Sequence, residues 1–187
     1  MPLYTITFIL LLLFFGFVIS YEYYEHKTKV SVFPTMPGIR NKIIEILKND
    51  RTVRQADETY TILDLGSGSG QLTWRIAQAL PKAKVVGIEL SYIPWLRSVL
   101  RQRLFGPANL SYLRLDFWPY DTSSFHAVVT YLPGRIMDRV GEKLRKELKP
   151  GALVVANTFP LKADWTPLET QTLKAPFKTN LYVYRQG

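Results

Sequence analysis

Three glycines and two serines occupy the seven positions from Asp64 to Gly70, "DLGSGSG", directly after an apolar run. A strand that ends this way and passes straight into a helix exposes backbone N–H groups, with little side chain in the way, at the carboxyl edge of a sheet. The spacing is G-x-G-x-G. A dinucleotide fingerprint needs G-x-G-x-x-G, and Gln71 stands where its last glycine would fall, which argues against NAD. Glu89 ends the next apolar run at the distance where an acidic side chain accepts both hydroxyls of a ribose. Asp64, Gly66, Ser67, Gly68, Gly70 and Glu89 together read as a nucleoside cradle.

The elements that must hold this cradle alternate along the chain. Strand "TYTILDLG" precedes helix "QLTWRIAQALP", strand "KVVGIEL" precedes helix "PWLRSVLRQRLFG", and strand "LSYLRLD" is followed by a short loop. Strand "FHAVVTYL" then precedes helix "RIMDRVGEKLRKELK", and strand "ALVVANTF" comes next. Runs rich in Val, Ile and Leu without strict alternation predict parallel strands buried on both faces, with helices between them. After Pro160, "LETQTLKAP" and "TNLYVYRQ" predict a closing hairpin on the sheet edge. Ahead of the glycine turn, Ile39, Ile43, Ile44, Ile46 and Leu47 recur at helical spacing, with Thr35 or Pro37 at the start as cap and first-turn residue. His126 opens its strand at the end remote from the glycines, and Asp121 reads as a loop cap.

The 187 residues hold no cysteine, which excludes disulfides, Cys-ligated zinc and a thiol nucleophile, and only two histidines, which argues against a His-rich metal site. A balance of 24 Lys and Arg against 15 Asp and Glu favours an anionic partner, nucleic acid or an acidic membrane surface. Arg97, Arg101 and Arg103 cluster on one short helix, as a solvated face or a contact with such a partner. The segment "MPLYTITFILLLLFFGFVISY" carries no charge before Glu22 and is long enough to span ~30 Å of hydrocarbon as a helix. Aromatic residues at both ends and basic residues only on the C-terminal side predict a single-pass anchor with the body in the cytosol. The expected division is an anchor over 1–24, a linker and lid helix over 25–50, and a catalytic domain over 51–187.

The set Asp64, Gly66, Gly68, Gly70 and Glu89 resembles the S-adenosylmethionine-binding motifs of class I methyltransferases. The resemblance implies an α/β, Rossmann-like sheet with helices on both faces and S-adenosyl-L-methionine as cofactor. It implies that Asp116, in "LRLDFWPYD", reads the adenine amino group, with Phe117 and Trp118 supplying apolar or stacking surface. It also implies that Tyr131, Leu132 and Pro133 occupy the place of the catalytic motif, Tyr131 lining the methyl-transfer channel. "TYLP" departs from the Asn/Asp-Pro-Pro-Tyr signature of enzymes that methylate adenine or glutamine amides, which argues against those acceptors.

The anchor, the "VFPTMP" linker, "LDFWPYD", the fourth-strand segment and the terminal "LYVYR" together resemble the membrane-anchored lysine methyltransferases of the ATP synthase c subunit and the adenine nucleotide translocase, and their prokaryotic relatives. That narrower resemblance implies that Pro34 and Thr35 fold over the cofactor, and that the substrate is a lysine side chain of a membrane protein. The expected partners are that protein and the bilayer. A nucleic-acid substrate is disfavoured, because juxtamembrane basic residues explain part of the charge. The absence of an Arg-rich presequence favours a bacterial inner membrane. A lipid, quinone or other small-molecule methyltransferase, and a cofactor-binding membrane adaptor without turnover, are the alternatives.

Overall fold

The computed structural model describes residues 2, 4–12, 14–16, 35–50, 60–162, 164–174 and 178–187. Helix α1 (Pro37–Asn49) leads into β1 (Thr61–Leu65), α2 (Gln71–Ala79), β2 (Lys84–Glu89), α3 (Tyr92–Phe105) and β3 (Leu110–Arg114). Strand β4 (Ala127–Thr130), a 3-10 turn (Gly134–Ile136), α4 (Met137–Glu147), β5 (Leu153–Asn157), β6 (Glu169–Leu173) and β7 (Thr179–Arg185) follow. The seven strands form one sheet in the order β3-β2-β1-β4-β5-β7-β6. The first five pair in parallel, and β7 runs antiparallel to both β5 and β6. The expected hairpin is present, but its second strand inserts beside β5 and leaves β6 at the edge. The inner position suits "LYVYR", which buries Leu181, Val183 and Tyr184, whereas Glu169 and Thr170 of β6 are exposed.

Right-handed crossovers place α2 and α3 on one face of the sheet, since both connections step toward β3, and α4 on the other, since β4 to β5 steps the opposite way. Alternation along each strand feeds two cores. Ile62 and Val85 join Ile39, Ile43, Leu47, Trp74 and Ile76 on the first face, while Leu63, Val86 and Val128 join Met137, Val140 and Leu144 on the second. Winding reverses between β1 and β4, and the carboxyl ends of these strands are the switch point at which such sheets form a ligand crevice.

Helix α1 starts at Pro37, a residue with no N–H to leave unpaired, and Met36 is its N-cap. Ile43 and Leu47 are fully buried, each contributing about 1.5–3 kcal/mol of apolar transfer energy. Polar contacts fix both its ends: Arg40 donates to Gln71 at the start of α2, and Arg185 on β7 donates to the buried Asp50 at 2.5 Å. The first contact ties the first turn of α1 to the start of α2, and Thr35 lies two residues before the helix. Pro34 and the linker before it lie outside the described residues.

Residues 4–12 and 14–16 are helical and carry exposed apolar side chains, Phe8, Leu10 and Phe14 among them. Among the described residues no helix is long and apolar enough to cross a membrane. The rest of the expected span, through Tyr24, falls on residues 17–24, outside the described ones.

Candidate active site

Gly66, Gly68 and Gly70 all take left-handed backbone angles, with φ of 75°, 55° and 71°. These are conformations that a Cβ penalises and glycine does not. The turn is fastened to β2: Gly66 N–H and Ser67 N–H both donate to the Ile88 carbonyl, at 3.0 and 2.9 Å. A Cβ on Gly87 would meet Ser67 Cβ at 2.9 Å and Tyr112 Cδ1 at 2.8 Å, so β2 needs glycine where the turn lies on it. Tyr112 Oη donates to the Gly70 carbonyl at 2.8 Å, supporting the turn from β3.

Glu89 is buried, and its carboxylate accepts from Gly68 N–H at 2.9 Å and from Ser91 N–H at 2.7 Å. These two bonds use half of an ionised carboxylate's acceptor capacity and leave sites for a diol. Asp64 sits deeper. It accepts from Thr73 Oγ1 at 2.6 Å, tying β1 to the first turn of α2, and it acts on the cradle by positioning that helix. Burial pushes its carboxyl up to about 6, against the Thr73 hydrogen bond that pulls it down, and Glu89's charge adds to the rise. Ser67 Oγ is buried with no partner among the described residues, a polar atom left over for a ligand. A bare turn, an orphaned hydroxyl, a helix N-terminus and a carboxylate with free lone pairs suit the charge and hydroxyls of an adenosyl amino acid.

Asp116 lies two residues beyond β3, exposed, with its carboxylate accepting from Trp118 N–H at 3.1 Å. Phe117 is half-buried and packs against Trp118, at 4.7 Å between ring centroids, while Arg139 of α4 lies over the Trp118 ring at 3.9 Å. Trp118 thus covers the α4-side core. On the opposite side of the crevice, Tyr131 and Pro133 are half-buried directly after β4. Leu132 is buried: its Cδ2 stands 2.7 Å from where a Cβ on Gly66 would be, so it joins the two loops.

Sequence reasoning missed the end of β5. Phe159 N–H donates to the Asn157 carbonyl at 2.8 Å around Thr158 at φ 67°, a γ-turn of the rare left-handed kind on a β-branched residue. Asn157 Nδ2 beneath it is buried without a partner among the described residues, and Phe159 packs on Gly134. The only signal was "NTFP" after an apolar strand. His126 lies at the remote end, as expected, stacked on Tyr60 and 2.8 Å from Thr61 Oγ1. Asp121 caps its loop by accepting from Ser123 N–H and Oγ, both at 2.9 Å, and these bonds hold its carboxyl below the usual range.

Residues 64–169 match the family model described as the ANTKMT methyltransferase domain. A protein-lysine N-methyltransferase of Saccharolobus islandicus (strain REY15A) is 29% identical over 143 residues, covering 75% of this chain and 83% of the relative. The adenine nucleotide translocase lysine N-methyltransferase of Mus musculus is 32% identical over 110 residues, covering 57% of this chain and 46% of the relative. The chain therefore spans about half the length of the mouse protein. Among solved structures, an RNA methyltransferase from Salinibacter ruber in complex with S-adenosyl-L-homocysteine superposes with a TM-score of 0.70 at 25% identity, over 82% of this chain and 93% of that one. The strand order, the cradle and the family match agree: the chain belongs to the ANTKMT methyltransferase domain family and uses S-adenosylmethionine as its methyl donor.

Proposed function

We propose that the chain is a protein-lysine N-methyltransferase acting on a membrane protein. In this reading residues 1–24 anchor it, residues 25–50 form the linker and lid helix, and residues 51–187 form the catalytic domain on the cytoplasmic side, a bacterial inner membrane being favoured. The observation that carries the lysine assignment is the likeness to the Saccharolobus lysine methyltransferase over three quarters of this chain and most of that one. The mouse relative, named for a lysine of the adenine nucleotide translocase, supports a membrane-embedded substrate.

S-adenosylmethionine, when bound, supplies an electrophilic methyl group. Glu89 would hold the ribose hydroxyls, Gly66 to Gly70 the amino-acid end, and Asp116 with Phe117 the adenine. Thr35 and Pro34, ahead of α1, would close over it. The acceptor must arrive as a neutral amine. The rings of Tyr131, Pro133 and Phe159 supply apolar surroundings that lower a lysine's pKa and exclude water, while alignment supplies most of the remaining rate.

The test is incubation of the purified full chain with isotopically labelled cofactor and membranes from cells lacking its gene, followed by acid hydrolysis and amino-acid analysis. Labelled methyllysine in the protein fraction is expected. Label confined to solvent-extractable lipid or quinone, or to RNA, overturns the assignment.

A further inference from the structure

Helix α3 contributes little to the core for its length, since Ser98 is its only buried residue. Positions 97, 100, 101 and 104 fall one or two turns apart on one face, with Phe105 beside them. Leu100, Leu104 and Phe105 there are 50%, 69% and 78% exposed, and Arg97 and Arg101 are interleaved with them. No acidic residue occurs from Leu90 to Leu115. The positive field extends beyond α3: Arg101 lies over the Trp74 ring of α2 at 4.3 Å, and burial with the neighbouring charges of Arg75 and Arg101 holds Arg40 below the ordinary arginine value. The cradle and the acceptor loops use none of Arg97, Leu100, Arg101, Leu104 and Phe105.

We infer that this face of α3 lies on an anionic lipid surface, with Leu100, Leu104 and Phe105 entering the headgroup–acyl boundary and Arg97 and Arg101 meeting lipid phosphates. The inference adds a second membrane contact to the proposed anchor and rests on that reading for its bilayer. Charge and apolar content choose the occupant. A second copy docking through the same face would set arginines against arginines. Phe105 is the single ring among the three exposed apolar side chains and aliphatic Leu100 and Leu104 offer RNA no stacking plane, whereas basic residues interleaved with Leu and Phe are the composition of helices that rest in a membrane interface.

The chain has no cysteine, so a single nitroxide can be placed on the full chain by Leu104→Cys, with Phe105→Cys as a second site and Glu142→Cys on the opposite face as control. Each labelled protein is reconstituted with phosphatidylcholine vesicles, with and without phosphatidylglycerol. The expected result is that labels at 104 and 105 become accessible to oxygen and shielded from a water-soluble nickel chelate in the anionic vesicles, while the label at 142 stays in water. Arg97→Gln and Arg101→Gln are each expected to weaken the shielding equilibrium about fivefold. Labels at 104 and 105 as water-accessible as the control in both vesicles overturn the inference. So does dipolar broadening between labels, which assigns the face to a second copy, or shielding produced only by added RNA. Flotation with neutral vesicles reports the anchor separately, and no methyl transfer enters the readout, so failure of the proposed function is distinguishable.

Discussion

Gly66→Ala tests whether the cofactor turn and the acceptor loop form one unit. The new Cβ meets two penalties: a backbone at φ 75°, which costs an L-residue roughly 1–2 kcal/mol, and the Leu132 methyl at 2.7 Å, an overpacking that adds about 1–3 kcal/mol. The expected loss in urea unfolding is therefore about 2–5 kcal/mol at unchanged m. Leu132→Ala alone removes a side chain that is only 3% exposed and is expected to cost about 2–5 kcal/mol. In the double variant the clash disappears while the backbone penalty stays, so the two losses fall short of additivity by about 1–3 kcal/mol. The backbone distortion should persist in cofactor binding: calorimetry with S-adenosylhomocysteine should show weak binding for Gly66→Ala that Leu132→Ala restores only in part. Additivity within about 0.5 kcal/mol would refute the contact on which the coupling rests.

Three further outcomes follow from the same geometry. Glu89→Gln loses charge-assisted acceptance and should weaken S-adenosylhomocysteine binding by about 10- to 100-fold in calorimetry, whereas a change below about twofold contradicts the sugar-gripping role. Asp64, raised by burial to about 6 from an unfolded value near 3.9, contributes stability that is fully present below about pH 4 and lost as pH rises through about 6, up to about 3 kcal/mol. Asp64→Asn should remove that slope from urea midpoints measured across this window, and parallel slopes would sink the claim. Tyr112→Phe removes one of two donors to the Gly70 carbonyl, which keeps Trp74 N–H at 3.0 Å, with an expected loss of about 0.5–1.5 kcal/mol and weaker cofactor binding; stability within about 0.3 kcal/mol of the native chain would show that the bond at 2.8 Å supports nothing.

The cradle was legible in the sequence because its requirements are local. Gly66, Gly68 and Gly70 follow from φ, and Glu89 from its place at the end of the next strand. What holds the cradle was not legible. Tyr112 reaches Gly70 across 42 residues and Arg185 reaches Asp50 across 135, and neither spacing leaves a periodic trace. Gly87 inside "KVVGIEL" was a readable hint of close backbone approach that only the sheet explains. Leu132 was legible only by its place after the fourth strand; that it packs into the core and against Gly66 follows from tertiary contacts that the spacing does not show. The left-handed Thr158 turn comes from tertiary constraint, its N–H bonded to the Asn180 carbonyl on β7, against the preference of a β-branched residue.

The most direct measurement is isothermal titration of the detergent-solubilised full chain with S-adenosylhomocysteine, followed by a crystal structure of the complex. Saturable binding near one molecule per chain, with Glu89 carboxylate oxygens on the ribose hydroxyls and the ligand's amino-acid end over Gly66 to Gly70, is the predicted result. Absence of binding heat, or a nucleoside seated elsewhere with Glu89 still bonded only to Gly68 and Ser91, would contradict the account.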